Sequence, residues 1–593
     1  MDEYFIKEKI NMLQELFNNQ KKTSSTYSTL RFILVILIFT SIYFGYNKNQ
    51  ANYMIGIIAL VIFIYLVRKH MALKKDMEDN TALLEVYQDV LARKSNDWKS
   101  FVDDGTAFLN KESTREIDLD IFGKASLYQY LSVAHTSFGK AKLASLLSCD
   151  AQSTTQIKER QACIQEFNEK QEFSCALMQL SKLYGKHAVK KKASYMEEFF
   201  TYMEVQVKVY PKLFMLSMRI LPCITLLCIC ASVFFQANIA YTLMASVASL
   251  CFAFLCFLKN SAELTLVNTL AETMQDYERL LATFANEQLE APYLRELQHN
   301  VQHATTGIKK LNTILTLVRI RSNSILFLIV NALFLLDFQC VFLLESWKKT
   351  YGQDVRTWLM SVGEIEALLS LAQIGFVKEN SCMPTVVEND SPLLNATHIT
   401  HPLLLEKDVV ANDFTTSEST YIITGSNMSG KTTFLRTLGI NLVLFHAGTR
   451  VCAQSFHATS MNCFTSMRVH DDVGEGISTF YAEILRIKKM MEESKKEEKM
   501  FVLIDEIFKG TNSADRILCA KQAIKRLHLP WVLTMVSTHD FELCDLEKDE
   551  QIHAMNYHFS EYYEDDKICF DYTLKNGKCT TTNAKELMKL AGF

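Results

Sequence analysis

Proline is scarce in this chain, with only 7 in 593 residues. Because proline disrupts helix interiors, its scarcity permits long uninterrupted helices, and charged helical patterns such as residues 483–499 agree. The N-terminal two-thirds therefore reads as largely α-helical. Charge of one sign is not in excess either: 62 Lys and Arg against 66 Asp and Glu leave a formal net charge of −4. That excludes the global basic footprint that many DNA binders carry. The 16 cysteines are scattered, and Cys223, Cys228, Cys230, Cys251 and Cys256 fall within apolar runs. No Cys/His spacing suits zinc, so free thiols in a reducing compartment are expected. Long low-complexity linkers are absent, and nothing repeats beyond two apolar hairpins.

Against this background one segment carries chemistry. A strand-like run, Thr-Tyr-Ile-Ile-Thr at 420–424, leads into Gly425, Ser426, Asn427, Met428, Ser429, Gly430, Lys431 and Thr432, and a helix-like run opens at Thr433. This is G-x-x-x-x-G-K-T between a strand and a helix, the context a phosphate loop needs. Glycines let backbone N–H groups approach phosphates, and the helix N-terminus adds positive potential. Lys431 would reach the terminal phosphates of ATP and Thr432 would hold Mg2+. Further on, the apolar run at 501–504 ends in Asp505 and Glu506. Asp505 suits a magnesium ligand, and Glu506 suits orienting an attacking water.

These segments resemble the ATPase domain of the MutS family. Residues 423–436, with Asn427 and Met428 inside the loop, are similar to its phosphate loop, and residues 505–512 to its D-E-x-x-x-G-T segment. Residues 471–483 resemble its D-D…S-T-F…E signature, Ser537-Thr-His539 its switch, and 585–593 its last block. His401-Pro402 and Asn412 match the lead-in, so the similarity runs over residues 395–593. It implies ATP and Mg2+ as cofactors, with Lys431, Glu506 and a γ-phosphate-sensing His539 as the catalytic set. It also implies a homodimer with composite sites, Ser478 and Thr479 completing the neighbour's. A weaker similarity at 118–147, 157–166 and 364–372 points to the family's helical core, placing a lever over residues 113–375. Three departures stand out. About 110 residues precede the core block, with no Phe-x-Glu in a wedge context, so no counterpart of the mismatch-reading domain is expected. Val409 and Val410 stand where family members often place an adenine-stacking aromatic, and with Phe593 as the last residue the family's C-terminal tail is not expected.

The remaining signal is hydrophobic length. Residues 32–46 and 53–67 carry no charge and are joined by a polar turn at 47–50. With its flanks each reaches roughly 17–20 residues, enough to cross a bilayer. A second pair, 220–236 and 239–258, is joined by Ala237 and Asn238. Buried core helices are the alternative for both pairs, but tyrosines cluster near the ends of the first, and Arg68, Lys69, Lys74 and Lys75 follow it. No small-residue cleavage site follows the first run, which argues against a signal peptide. Lys7, Lys9, Lys21 and Lys22 precede the first pair; Lys208, Lys212 and Arg219 precede the second, and Lys259 follows it. By the positive-inside rule both hairpins start and finish in the cytoplasm. A further apolar stretch, 324–344, contains Asn331 and Asp337, and a single crossing there would put the ATPase outside. A buried core helix is expected instead. The basic cluster Lys182, Lys186, His187, Lys190, Lys191 and Lys192 could meet anionic lipid or a phosphate backbone, or form a solvated face.

The expected fold is an α-helical membrane-anchored lever plus a C-terminal α/β P-loop ATPase domain of the ABC/MutS type. Its parts are a cytoplasmic segment (1–29), a transmembrane hairpin (30–67), a first lever half (76–211), a second hairpin in the family's clamp position (212–259), a second lever half (260–375) and the ATPase (376–593). The expected function is a mismatch-repair-type, DNA-binding ATPase in the cell's inner membrane, with both termini and the ATPase cytoplasmic. The alternative is a membrane mechanotransducing ATPase that uses the same engine without DNA.

Overall fold

The computed structural model describes residues 1–47, 51–188, 194–205, 211–468, 479–508, 513–564 and 567–579. The chain forms two compact units. One comprises Met1–Val133, Lys140–Cys175 and Ala367–Phe593, the other Ala134–Gly139 and Ala176–Glu366.

The first unit begins with two helices of 45 residues each, Glu3–Asn47 and Ala51–Ser95, which pack against one another as a hairpin. At a rise of 1.5 Å per residue each is roughly 68 Å long, about twice the hydrocarbon thickness of a bilayer. Burial divides the hairpin in two. Near its base Ile6, Ile10, Leu13, Val86, Tyr87 and Val90 are buried, and Phe5 meets Tyr87 edge-on. Toward the tip, Phe32, Phe39, Ile57, Ile58 and Val61 face outward, and only 11% of each apolar window is buried. Small residues let the helices approach there: a methyl group on Gly56 would lie 3.3 Å from Ser41 Cβ. Between tip and base, His70 Nε2 lies 2.8 Å from Ser24 Oγ, and His70 Nδ1 lies 3.0 Å from Arg31. At the foot, buried Arg93 donates to the carbonyls of Tyr130 and Ser132 at 2.6 and 2.9 Å.

The rest of this unit holds short helices between Asp97 and Leu131, the helix Thr154–Glu169 and an α/β domain. Its strands are β1 (Thr385–Val386), β2 (Leu394–Ile399), β3 (Asn412–Thr415), β4 (Thr420–Thr424), β5 (Ser455–Ala458), β6 (Asn462–Ser466), β7 (Met500–Asp505), β8 (Val532–Thr538), β9 (Met555–His558), β10 (Glu561–Glu564), β11 (Lys567–Phe570) and β12 (Lys575–Asn576). The main sheet has the order β12-β9-β4-β8-β7-β6, parallel except for β12 at its edge. A four-stranded sheet, β1-β5-β2-β3, accompanies it. Every residue of β4, β7 and β8 is buried, as expected of parallel strands covered on both faces. Alternation along β7 shows both covers. Val502 and Ile504 join a core with Ile487, Ala520 and Ile524 from helices Thr479–Glu493 and Ser513–Leu527. Leu503 instead lies against Gly439 of helix Lys431–Ala447, where a methyl group would come within 2.7 Å of Leu119 and 3.1 Å of Leu503. A side chain there would have to displace both leucines.

The second unit is helical. Its longest element, Ile239–Asn286, runs unbroken for 48 residues, so the second apolar segment passes directly into a core helix. It packs against Lys212–Phe234, Ala304–Val318 and Leu336–Tyr351. Polar pairs stitch the apolar hairpin internally, with Ser232 Oγ 2.9 Å from Thr242 Oγ1 and Thr225 Oγ1 3.3 Å from Ser249 Oγ. Leu227, Val233, Phe234, Leu243, Met244 and Val247 face outward. One expectation fails here: residues 324–344 are not a single buried helix. The stretch breaks at Leu335, which adopts a left-handed conformation (φ 52°) between helices Ser324–Phe334 and Leu336–Tyr351. Leu336, Phe338, Val341 and Leu344 are buried, whereas Ile325, Leu328 and Ile329 are exposed. The physical reason lies at the break, where Asn331 Oδ1 accepts from the Asp337 N–H at 3.0 Å and Arg321 lies 3.4 Å from the Asp337 carboxylate. Asn331 thus caps the following helix and Arg321 offsets the Asp337 charge at a helix junction, which a continuous apolar span would not provide.

Candidate active site

The phosphate-loop sequence lies where its pattern places it. It connects β4 to helix Lys431–Ala447, with Gly425 (φ 145°), Met428 (φ 69°) and Gly430 (φ 109°) in conformations with positive φ. A methyl group on Gly425 would fall 2.6 Å from the Phe559 carbonyl oxygen, so the loop closes there only with glycine. Lys431 is buried, and its ammonium donates to the carbonyls of Gly425 and Ser426, both at 2.8 Å. Ser426 donates to Glu561 at 2.7 Å, fixing one side of the loop. Ser429 Oγ is buried with no hydrogen-bond partner among the described residues. An orphaned hydroxyl inside a cradle of backbone N–H groups beside a buried ammonium fits an anionic ligand such as a nucleotide phosphate.

The acidic strand end meets this loop. Thr432 Oγ1 donates to Asp505 Oδ2 at 2.8 Å, and Ser537 Oγ donates to Asp505 Oδ1. Asp505 is nearly buried at the end of β7. Adjacent Thr432 and Asp505 oxygens form a hard-donor set suited to Mg2+. The next residue turns away sharply: Glu506 has φ 54° and Phe508 φ 62°. Two hydrogen bonds hold this strained turn, Glu506 N–H to the Ser537 carbonyl at 3.0 Å and Phe508 N–H to the buried Glu483 carboxylate at 2.9 Å. Left-handed non-glycine residues of this kind cost roughly 1–3 kcal/mol and collect at functional sites. The turn brings Glu506 Oε1 to 2.9 Å from His539 Nε2 at the end of β8. Arg516 and Asp540, paired at 2.6 and 2.8 Å, fix the segment that carries His539.

Beside the loop lies a cavity of about 510 Å³ lined by Asn427, Met428, Lys431, Thr432, Thr433 and Glu506, among others. Its volume falls in the range of small-molecule sites. Val409 and Val410 line it as well, and so do two aromatics absent from the sequence reading, Phe559 and Tyr572. Asn412 holds the second in place, donating to the Tyr572 carbonyl at 3.0 Å and accepting from the Leu574 N–H at 2.7 Å. His401 also lines the cavity; burial, and then the nearby Arg436 charge, pushes its pKa down to about 4.

A carboxylate cluster ties this machinery to the segment 114–123. Asp118 is fully buried and accepts from Thr465 Oγ1 at 2.8 Å, Met467 N–H at 3.0 Å and Arg468 N–H at 2.9 Å, with Arg486 at 3.7 Å. Asp120 pairs with Arg468 at 2.8 Å and with Arg436 of the phosphate-loop helix at 3.2 Å. Ser478 lies outside the described residues, and Thr479 begins helix Thr479–Glu493.

The profile of MutS domain V matches residues 421–593. The C-terminal domain belongs to the MutS family. Over 238 residues the chain is 30% identical to the DNA mismatch repair protein MutS of Aquifex pyrophilus, covering 39% of this chain and 27% of that protein. Over 264 residues it is 31% identical to MutS of Listeria monocytogenes serotype 4b, covering 43% of this chain and 30% of that protein. The chain thus matches less than a third of the length of these relatives.

Proposed function

We propose that this chain is a Mg2+-dependent ATPase of the MutS type that binds DNA and is anchored in the cell membrane by its two apolar hairpins. The observation that carries the reading is the convergence of Thr432 with Asp505, and of Glu506 with His539, on one phosphate loop. Lys431 would neutralise phosphate charge, while the Ser429 hydroxyl and the loop N–H groups would donate to the remaining oxygens. Glu506 would hold the attacking water and take its proton, with His539 fixing the carboxylate. Bound Mg2+, held through Thr432 and Asp505, would offset the charge on the terminal phosphates. Tyr572 and Phe559 offer the nucleotide base the aromatic surface that Val409 and Val410 lack. A homodimer with composite sites, Ser478 and Thr479 serving the neighbour, follows from the family relationship, and the Asp118–Asp120 cluster would transmit nucleotide state to the helices.

The membrane part rests on the two 45-residue helices and the 220–254 region, whose apolar side chains face outward. Both termini and the ATPase would lie on the cytoplasmic side. A second reading, a membrane mechanotransducer without DNA, is favoured by the net charge of −4 and by an apolar hairpin in the position of the family's DNA clamp. ATP turnover by the purified full-length protein, titrated with homoduplex, mismatched, branched and single-stranded DNA, separates the two. Stimulation by one form, lost at high salt, supports the DNA-responsive switch. Turnover indifferent to every DNA but altered by lipid composition would replace it with the mechanotransducer.

A further inference from the structure

We infer that the Ser324–Phe334 helix is a third lipid-contacting element of the helical unit, lying in the bilayer interface beside the second hairpin. This rests on the reading that the second hairpin enters the membrane. No charged residue occurs from 322 to 336. Eleven helical residues span roughly 16 Å, about half the ~30 Å hydrocarbon thickness, so this helix cannot cross. An apolar helix of that length is a core helix, a re-entrant segment or an interfacial one. The core assignment fails on exposure, since Ile325 is 75%, Leu328 56% and Ile329 51% exposed. These residues recur at helical spacing and form one continuous aliphatic face.

Several observations identify lipid as the occupant of that face. The helix packs against Ile239–Asn286 and Lys212–Phe234, the two helices of the hairpin, so its apolar face continues theirs. It turns by 115° from the preceding helical segment, Pro292–Arg321, which sets it across that segment's end. The chain then returns through left-handed Leu335 into a helix whose Phe338, Val341, Leu344 and Trp347 are buried in the protein core, so it enters and leaves on one side. Arg319 and Arg321 stand at its start, and Arg219 lies 5.7 Å from the Phe342 ring nearby. Arg321 is taken up by Asp337 and Arg319 is partly buried, whereas exposed Arg219 is a cation suited to an anionic headgroup layer. Asn331, the polar residue in the middle of the helix, is buried away from the face and bonds the Asp337 backbone.

Tryptophan quenching in vesicles tests this on the full-length protein. Leu328→Trp and Ile325→Trp would be compared with Leu227→Trp in the second hairpin, in phosphatidylcholine brominated near the headgroup or near the chain end. The native tryptophans give the background. The inference expects Leu328→Trp and Ile325→Trp to lose emission most in the headgroup-proximal brominated lipid, and Leu227→Trp to lose emission in brominated lipid too. Quenching at 227 with none at 325 or 328 overturns the inference and leaves the hairpin standing, with a second copy or another protein as the cover. No quenching at any of these sites overturns both. Quenching at 325 and 328 without quenching at 227 would remove the hairpin reading on which the inference rests and overturn it as stated.

Discussion

His539 Nε2 and Glu506 Oε1 lie 2.9 Å apart at the ends of two parallel strands, although 33 positions separate them in the chain. The pair forms because β7 and β8 are neighbours in register, Asp505 opposite Ser537, and because the left-handed Glu506 swings its carboxylate toward the strand end. His539→Ala should therefore lower kcat on the order of 10²-fold, the scale of a misplaced catalytic group, with nucleotide affinity nearly unchanged. A KM change without a kcat change, read from steady-state phosphate release, would place His539 outside the catalytic set.

Tyr572 and Phe559 supply an aromatic wall where the sequence showed only Val409 and Val410. Tyr572→Ala should raise KM for ATP about fivefold, the loss of one aromatic contact of ~1 kcal/mol, while Tyr572→Phe should leave it unchanged. Equal effects from both variants would show that the hydroxyl, not the ring face, matters.

The strand–turn–helix at 420–447, and the placing of Asp505, Glu506 and His539 at strand ends beside it, were legible because each is a short local pattern. Tyr572 was not, since its position depends on the sheet returning residues 555–576 to the side of β4, anchored by Asn412. The break at Leu335 escaped for the same reason: an apolar run of 324–344 does not reveal that Asn331 and Asp337 will bond across a junction. The left-handed turns at Glu506 and Phe508 are likewise set by tertiary bonds, to Ser537 and Glu483.

Asp118 is a buried carboxylate that satisfies three donors and faces Arg486. Asp118→Ala should destabilise the unit that holds the α/β domain by roughly 3–5 kcal/mol, because it leaves those donors and a cation without their acceptor. The check is the midpoint of chemical or thermal unfolding; a change within error would remove Asp118 from the account of how residues 114–123 are held.

Acid should destabilise this unit before its carboxylates titrate. His401, held down to about 4 by burial and then by the Arg436 charge, and His446, held down to about 3 by burial and then by the Arg115 charge, are neutral when folded. Unfolded histidine takes up its proton near pH 6.5. The unfolded state then binds more protons, so stability is full above pH 6.5 and declines as the pH falls toward 4 and then 3. A melting temperature that stays level or rises from pH 7 to 5 would contradict this.

Gly425→Ala should abolish nucleotide binding with the protein still folded. The added methyl group would meet the Phe559 carbonyl oxygen at 2.6 Å, and the residue's φ of 145° is one that alanine adopts only with strain. Binding of a fluorescent ATP analogue reads the effect, and wild-type affinity in the variant would show that the loop tolerates a side chain there.

Phosphate release from ATP by the purified full-length protein, wild type beside Glu506→Gln, tests the central claim most directly. The account predicts Mg2+-dependent turnover in the wild type and a variant that still binds ATP but turns it over about 10²–10⁴-fold more slowly. Wild-type protein that binds no ATP, or turnover equal in the two proteins, would contradict it.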